Sequence, residues 1–490
     1  MKKSLLAALL TGLFALVSLP ALGNVNFEQL KQKAERGEAK AQLELGYRYF
    51  QGNETTKDLT QAIDWFRRAA EQGYTPAEYV LGLRYMNGEG VPQDYAQAVI
   101  WYKKAALKGL PQAQQNLGVM YHDGKGVKVD KAESVKWFRL AAEKGSNHGQ
   151  QSMGDAYFEG DGITRDYVMA REWYSKAAEQ GNAWSCNQLG YIYSKGLGVE
   201  KNDAISAQWY RKSATSGDEL GQLHLADMYY FGIGVTQDYT QSRLLFSQSA
   251  EQGNAIAQFR LGNILEQGLV GEKDPLKALE WYRKSAEQGN SDGQYYLANL
   301  YDTGAEGVAK NREQAISWYT KSAEQGDATA QANLGAIYFR LGSDEEHKKA
   351  VEWFHKAAEK GVKAAQFNLG NALLQGKGVK KDEQQAAIWM RKAAEQGLSN
   401  AQLKLGEIYY YGLGVERDYV QAWAWFDTAS TNDMNLFGTE NRNITEKKLT
   451  AKQLQQAELL SKQYIEKYAP EAWARMQKLN ARSTVTTGNK

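Results

Sequence analysis

The chain is 490 residues long, 43% hydrophobic and 24% charged, with 47 glycines but only 6 prolines and a single cysteine. Its 59 basic and 57 acidic residues nearly cancel, which leaves no electrostatic footprint for nucleic acid or for an anionic membrane surface. One cysteine excludes intrachain disulfides, and glycine at fixed intervals with little proline reads as an all-helical protein with regular turns.

At the N-terminus, Lys2 and Lys3 precede an apolar run from Leu5 to Leu19, followed by the small residues Ala21 and Gly23. This is the layout of a cleaved secretory signal over residues 1–23. The run is short and rich in alanine, unlike a membrane anchor, and no cysteine follows it to accept lipid. The mature protein is therefore expected to be exported and soluble, with no membrane insertion after cleavage, and monomeric. Residues 24–40 read as half a repeat, because Ala34-Glu-Arg-Gly37 matches Ala70-Glu-Gln-Gly73, and should cap the array that follows.

That array occupies residues 41–432. A phrase beginning at Ala41 returns at Ala77, Ala113, Gly149, Ser185, Gly221, Ala257, Gly293, Ala330, Ala365 and Ala401, a step of 36 residues that slips once to 37 and once to 35. Such a period overrides the domain arithmetic of chain length and makes the chain one array of eleven copies. In the copy from Ala77 to Gln112, Ala77, Leu81 and Tyr85 share one face of a first helix. Gly82 interrupts that helix at a cost of about 1 kcal/mol, so its recurrence predicts close approach of another helix. Gly88-Glu89-Gly90 predicts the reversal, and Asp94 an N-cap for the second helix. The equivalents Asp58, Asp130, Asp166, Asn202, Asp238, Asp274, Asn311, Asp382 and Asp418 are all good caps, which makes these acids structural. Ala98, Trp101, Tyr102, Ala105 and Ala106 form the second helix's packing stripe. Equivalents of Trp101 recur in every copy except at Leu245, and are expected in the core.

Departures from the phrase are few. Residues 218–246 are the most degenerate copy, with Ala226 for glycine and Leu245 for tryptophan, and read as a candidate hinge. Gly304-Ala305-Glu306-Gly307 adds a residue to one turn, and Leu341 to Glu346 shortens the next and loses its Gly-x-Gly. After residue 432 the phrase fails. Residues 433–481 are expected to form a C-terminal capping segment, with a helix from Thr450 to Tyr468, and residues 482–490 a disordered tail.

Two antiparallel helices with the Leu-Gly-x-x-Tyr, Gly-x-Gly-Val-x-x-Asp and Ala-x-x-Trp-Tyr/Phe-x-x-Ala-Ala-x-x-Gly phrasing resemble the Sel1-like repeat, a relative of the tetratricopeptide repeat. The resemblance implies an all-α fold, a right-handed α/α superhelix or solenoid, acting as an interaction scaffold and not as an enzyme. In leader, length and repeat number the chain is similar to exported members of pathogenic enteric bacteria. That similarity implies a host immune glycoprotein, secretory immunoglobulin A, as partner and a role in immune evasion, which no residue pattern here encodes. A periplasmic adaptor for envelope or signalling proteins is the alternative. Other exported members carry a cysteine pair in each repeat and are linked to β-lactams; a chain with only Cys186 departs from them.

No catalytic group, cofactor or metal is expected. His122, His148, His224, His347 and His355 share no metal-ligand spacing. Asp123-Gly-Lys-Gly126 and Gly160-Asp-Gly162 lack the alternating acids of a calcium loop. Cys186 reads as a half-exposed thiol. Partner binding is expected instead on the first helices, at the third, seventh and tenth positions of each copy, about 180° from the buried face by helical arithmetic. The candidates are Tyr47, Phe50, Tyr79, Leu83, Met86, Tyr230, Phe259, Tyr295, Phe367 and Tyr410, with Leu43 and Leu403 in the same register. Trp137→Ala is expected to cost about 3–5 kcal/mol in a urea titration, and a loss below about 1 kcal/mol would contradict its place in the core.

Overall fold

A computed structural model describes residues 26–433 and 436–487, with side chains to residue 478. The leader assigned to residues 1–23 lies outside the described residues. The chain divides into two compact units at Gln252 and Gly253. Each is an α/α solenoid of helix pairs.

The first unit opens with the helix Phe27–Glu35, capped by Asn26, whose Leu30 and Ala34 pack on Ala41, Leu45 and Trp65. Six helix pairs follow, from Ala39–Gln51 with Leu59–Glu71 to Glu219–Phe231 with Tyr239–Glu251. In the second unit, five pairs run from Ala255–Gln267 with Pro275–Glu287 to Ser399–Tyr411 with Tyr419–Asp433. Three further helices close it: Leu436–Glu446, Ala451–Tyr468 and Pro470–Thr487. Tyr464 and Tyr468 of the middle one stack on Trp425, with ring centroids 4.3 and 5.8 Å away, and so cover the last repeat. Residues 482–487, expected as tail, continue the final helix. Its start is anchored by buried Ala469 and Ala472, and propagation adds a hydrogen bond for each residue fixed.

One local geometry recurs in both units. Most first helices end on a left-handed glycine, such as Gly88 (φ 72°), and most turns cross over through a second, such as Gly90 (φ 78°), whose place in the first copy is taken by Glu54 (φ 59°). A Cβ at Gly90 would also lie 3.0 Å from the Leu59 carbonyl, so this glycine lets the turn lie on the preceding second helix. The acids and asparagines expected as N-caps accept the third backbone N–H of each second helix at 2.9–3.1 Å. The shortened turn near residue 342 is solved differently. Ser343 and Glu346 form a capping box, and Asp344–Glu359 begins early, 16 residues long instead of 13.

In most pairs the helical glycine is where the second helix presses in, with Ala226 and Ala298 taking its place in two. A Cβ on Gly46, Gly82, Gly118, Gly262, Gly335 or Gly406 would stand 2.6–2.7 Å from a ring carbon of Phe66, Tyr102, Phe138, Tyr282, Phe354 or Phe426. These rings are buried, whereas the tryptophans beside them divide. Trp65, Trp101, Trp137, Trp173 and Trp425 are buried. Trp209, Trp281, Trp318, Trp353 and Trp389, expected in the core, are only half-buried. Their position packs against the preceding repeat and leaves an outer ring face, over which a lysine three residues later lies: Lys284 is 4.0 Å from the Trp281 ring and Lys321 3.8 Å from that of Trp318.

A second link ties repeats together. Buried Gln42 donates to the Ala34 carbonyl at 3.0 Å and accepts from Gln72 at 2.7 Å, so one amide joins the preceding helix to the end of its own second helix. The same amide pair recurs as Gln180 on Gln150 and Gln252 on Gln222 in the first unit, and as Gln325 on Gln294 and Gln396 on Gln366 in the second. In the second repeat the pair is ionic instead, with Lys108 Nζ 2.6 Å from the buried Glu78 carboxylate. Cys186 occupies the same buried position, 2% exposed, which corrects its expected half-exposure. Position two faces the preceding repeat, not solvent.

Gly82→Ala tests the glycine contact. The helix preference of alanine, about 1 kcal/mol, opposes a packing cost of about 1–3 kcal/mol against Tyr102. Net destabilisation of about 1 kcal/mol is expected in denaturant titration, turning neutral or favourable in a Tyr102→Leu background.

Candidate functional site

Within each unit the first helices are largely enclosed: an inner one touches its own second helix and the second helix of the preceding pair, and part of its surface reaches solvent. That sandwiching decides the fate of the candidate residues. In the first unit Tyr47 and Phe50 are half-buried, Tyr47 against Phe66 (5.2 Å between centroids) and Phe50 beneath the Arg84 guanidinium at 4.3 Å. Leu83 and Met86 are half-buried beside the core of the following repeat. Tyr79 is not a surface anchor: it is 7% exposed and packs with Tyr102, 5.8 Å away, and with the next first helix. Leu43 is buried for the same reason. Tyr230 is half-buried in an aromatic group with Phe231 and Tyr239.

In the second unit Tyr295, Phe367 and Tyr410 are half-buried, as is Leu403. Tyr295 lies 5.1 Å from Tyr296 and 5.8 Å from Tyr319, and Tyr410 5.3 Å from Tyr419. Phe259 is 5% exposed, its ring between Tyr282 and Tyr296. Position three points along the array toward the next repeat, which buries Leu43, Tyr79 and Phe259 but leaves Tyr295, Phe367 and Leu403 at the same position half-buried. Those three, with the candidates at positions seven and ten, remain partly accessible.

The first unit holds a further feature that none of the candidate residues lines. The first helices Asn147–Glu159, Ala183–Lys195 and Glu219–Phe231 line an open cavity of about 420 Å³, together with residues of neighbouring turns and second helices. Phe158 and Tyr191 supply positions ten and seven, and were readable from the register. Trp184, Tyr167 and Tyr210 come from other positions and could be found only by folding the chain.

Next to this cavity Asp155 is half-buried and accepts from Tyr174 Oη at 2.7 Å and Trp184 Nε1 at 3.0 Å. Burial pushes its carboxyl above the usual range, against the pull of these donors. His122 bridges two successive turns, with Nδ1 2.8 Å from Asp123 and Nε2 3.0 Å from Asp161. Lys131 reaches Asp161 at 2.6 Å. Burial alone would raise Asp161, but the hydrogen bonds and charges of Lys131 and His122 outweigh it and hold the carboxyl below its ordinary range. The two turns with a faint calcium-loop look are thus joined by a histidine. Among the described residues no group of three His, Cys, Asp or Glu side chains could hold a metal ion, and no helix is long and apolar enough to cross a membrane. Burial also raises the Cys186 thiol, which keeps it protonated and unreactive.

Comparison with known proteins places these features. The family model described as Sel1 repeat matches eleven times, over residues 39–74, 75–110, 111–146, 148–182, 185–218, 220–254, 255–290, 291–327, 328–362, 363–398 and 399–434. The chain is 97% identical over its full length, and over all of the relative, to the secretory immunoglobulin A-binding protein EsiB of Escherichia coli O6:H1. A solved structure of a protective antigen from uropathogenic Escherichia coli, with an SLR fold, shares 93% identity and a TM-score of 0.86, covering 93% of this chain and 98% of that one. A Sel1 repeat protein from Oxalobacter formigenes shares 31% identity and a TM-score of 0.53, covering 68% of this chain and 93% of that one.

The Asp161 cluster yields a pH prediction. A carboxyl with a depressed folded pKa adds stability that is complete above the ordinary aspartate value of about 4 and is lost as pH falls through its lower folded value. Asp161→Asn is expected to shrink the drop in urea midpoint between about pH 5 and pH 3 relative to the unmodified chain, and an unchanged drop would show the cluster to be unimportant.

Proposed function

The chain belongs to the Sel1 repeat family, and from that premise we propose that it is an exported, non-enzymatic scaffold that binds secretory immunoglobulin A. One observation carries the reading: 97% identity, end to end, with a protein named for that binding. At that identity nearly every surface side chain available to a partner is shared. The lysine pair and apolar run at the N-terminus support export, and secretion or surface display is where such a partner would be met.

Within this reading the partner contacts the first-helix stripe at its accessible positions. Tyr47, Phe50, Leu83 and Met86 form one candidate patch in the first unit, with Tyr230 further along. Tyr295, Phe367 and Tyr410 are the candidates of the second. Half-buried aromatic and methionine side chains, already held by neighbours, lose little freedom on binding, which is what interface anchors require.

Immobilised mature protein is expected to capture purified secretory immunoglobulin A at about 1 µM. No capture at that concentration would overturn the proposal. Alanine at both Tyr295 and Phe367 is expected to weaken capture about tenfold or more with unchanged helical circular dichroism. Full binding by that variant would move the site elsewhere.

A further inference from the structure

Two aromatic patches of the first-helix stripe differ in the charge around them. In the first unit, Phe50 already holds cations of its own chain: the Arg84 guanidinium lies 4.3 Å from its ring and Lys57 Nζ 5.9 Å. In the second unit, Tyr295 and Tyr296 are the third and fourth residues of the copy that starts at Gly293, and both are half-buried. Among the described residues no lysine or arginine lies over either ring. The two rings meet at right angles, with centroids 5.1 Å apart and planes at 89°. Buried neighbours fix both: Tyr296 stacks on Tyr282 at 5.5 Å and tilts over Phe259 at 5.1 Å, while Tyr295 lies 5.8 Å from Tyr319.

Three carboxylates act on this aromatic corner. Glu266 accepts from Tyr282 Oη at 2.7 Å, which places it at the edge of the ring stack. Asp292 is exposed, one helical turn before the two tyrosines, and Asp327 caps the next first helix. Their charge is felt at the rings: burial first, then Glu266, Asp292 and Asp327 against Arg260, raises the Tyr296 hydroxyl above its ordinary value. Arg260, whose guanidinium lies 5.4 Å from the Phe259 ring, offsets one of the three. Asp302 adds nothing, because Arg340 pairs with it at 3.8 Å. Among the described residues Glu266, Asp292 and Asp327 have no such ion pair, so the corner stays negative.

Rings and uncompensated carboxylates together select the sign and shape of what can dock. An anion is repelled here, and an apolar side chain would cover the rings while stripping water from carboxylates that it cannot pair. A cation gains from both features, since ring faces attract it and nearby carboxylates act more strongly beside surfaces that exclude water. Arginine fits better than lysine, because a planar guanidinium can stack on a ring while its edge donates to a carboxylate. We propose that the Tyr295–Tyr296 corner takes an arginine side chain of the partner, stacked on these rings and neutralised by Glu266 and Asp292. The inference rests on the antibody-binding reading only for the source of that arginine.

Saturation-transfer NMR on the full mature chain, with N-acetylarginine amide as probe and N-acetylcitrulline amide as its neutral counterpart of the same shape, tests it without any antibody. The arginine probe is expected to bind with a Kd of about 1 mM, the scale suited to so small a ligand, and the citrulline probe about tenfold more weakly. Tyr296→Leu keeps apolar bulk but removes the ring and is expected to weaken the arginine probe about tenfold, whereas Tyr296→Phe leaves it unchanged. Asp292→Asn combined with Glu266→Gln, which still offers Tyr282 Oη an acceptor, is expected to weaken it about tenfold with unchanged circular dichroism. No transfer from the arginine probe overturns the proposal, as does equal binding of the citrulline probe. Binding undiminished in Tyr296→Leu or in the paired carboxylate variant overturns it too. Capture of secretory immunoglobulin A without arginine binding would defeat this subsite alone, while arginine binding without capture would defeat only the antibody reading.

Discussion

The contact between a glycine in the middle of most first helices and an aromatic ring of the second helix governs the rest of the structure. With no Cβ at Gly82, Tyr102 can lie directly against the first-helix backbone, and the copies that depart from glycine there use only alanine, Ala226 and Ala298. Once that contact is made, the Trp101 position is aimed at the preceding repeat and the turn glycines bring the chain back over the preceding second helix. The buried glutamine amides add direction to this packing. An amide satisfied by one carbonyl of the previous helix and one side chain of its own repeat tolerates little sliding between repeats.

This framework absorbs nearly all the residues that recur. Caps, glycines, alanines and the ring at the Tyr102 position are spent on building and stacking, as expected of a quasi-one-dimensional fold in which each repeat is stabilised by its neighbours. The positions that differ between copies are left free of that task, and the half-buried stripe of the first helices is made of such positions. A site built on regular elements presents its rings to a partner at little ordering cost on binding.

The sites differ in how visible they are along the chain. Aromatic residues at positions three, seven and ten can be found by counting from each repeat's start, which is how Tyr47 at position seven, Tyr410 at position ten and Tyr295 and Phe367 at position three can be nominated. Counting on one helix treats it as a cylinder with a single buried side. Tyr79 and Phe259 fail that treatment because a first helix is covered on three sides, and position three belongs to the junction with the next repeat. Cys186 and the glutamines at its position are hidden from such counting for the same reason. Their partners lie about one repeat away in the chain, and a polar residue reads as surface until the neighbour that satisfies it is in place.

Period, helix content, turn positions and N-caps were therefore determined by the sequence alone, since each arises from interactions within about one repeat: side-chain spacing, left-handed glycines, and a carboxylate or amide reaching the third N–H. The depth of each ring, the division of the tryptophans into buried and half-buried, and the aromatic cavity between three first helices were decided only by the tertiary structure. They depend on how three successive repeats stack, and stacking joins side chains about 30 or more residues apart that no local pattern couples.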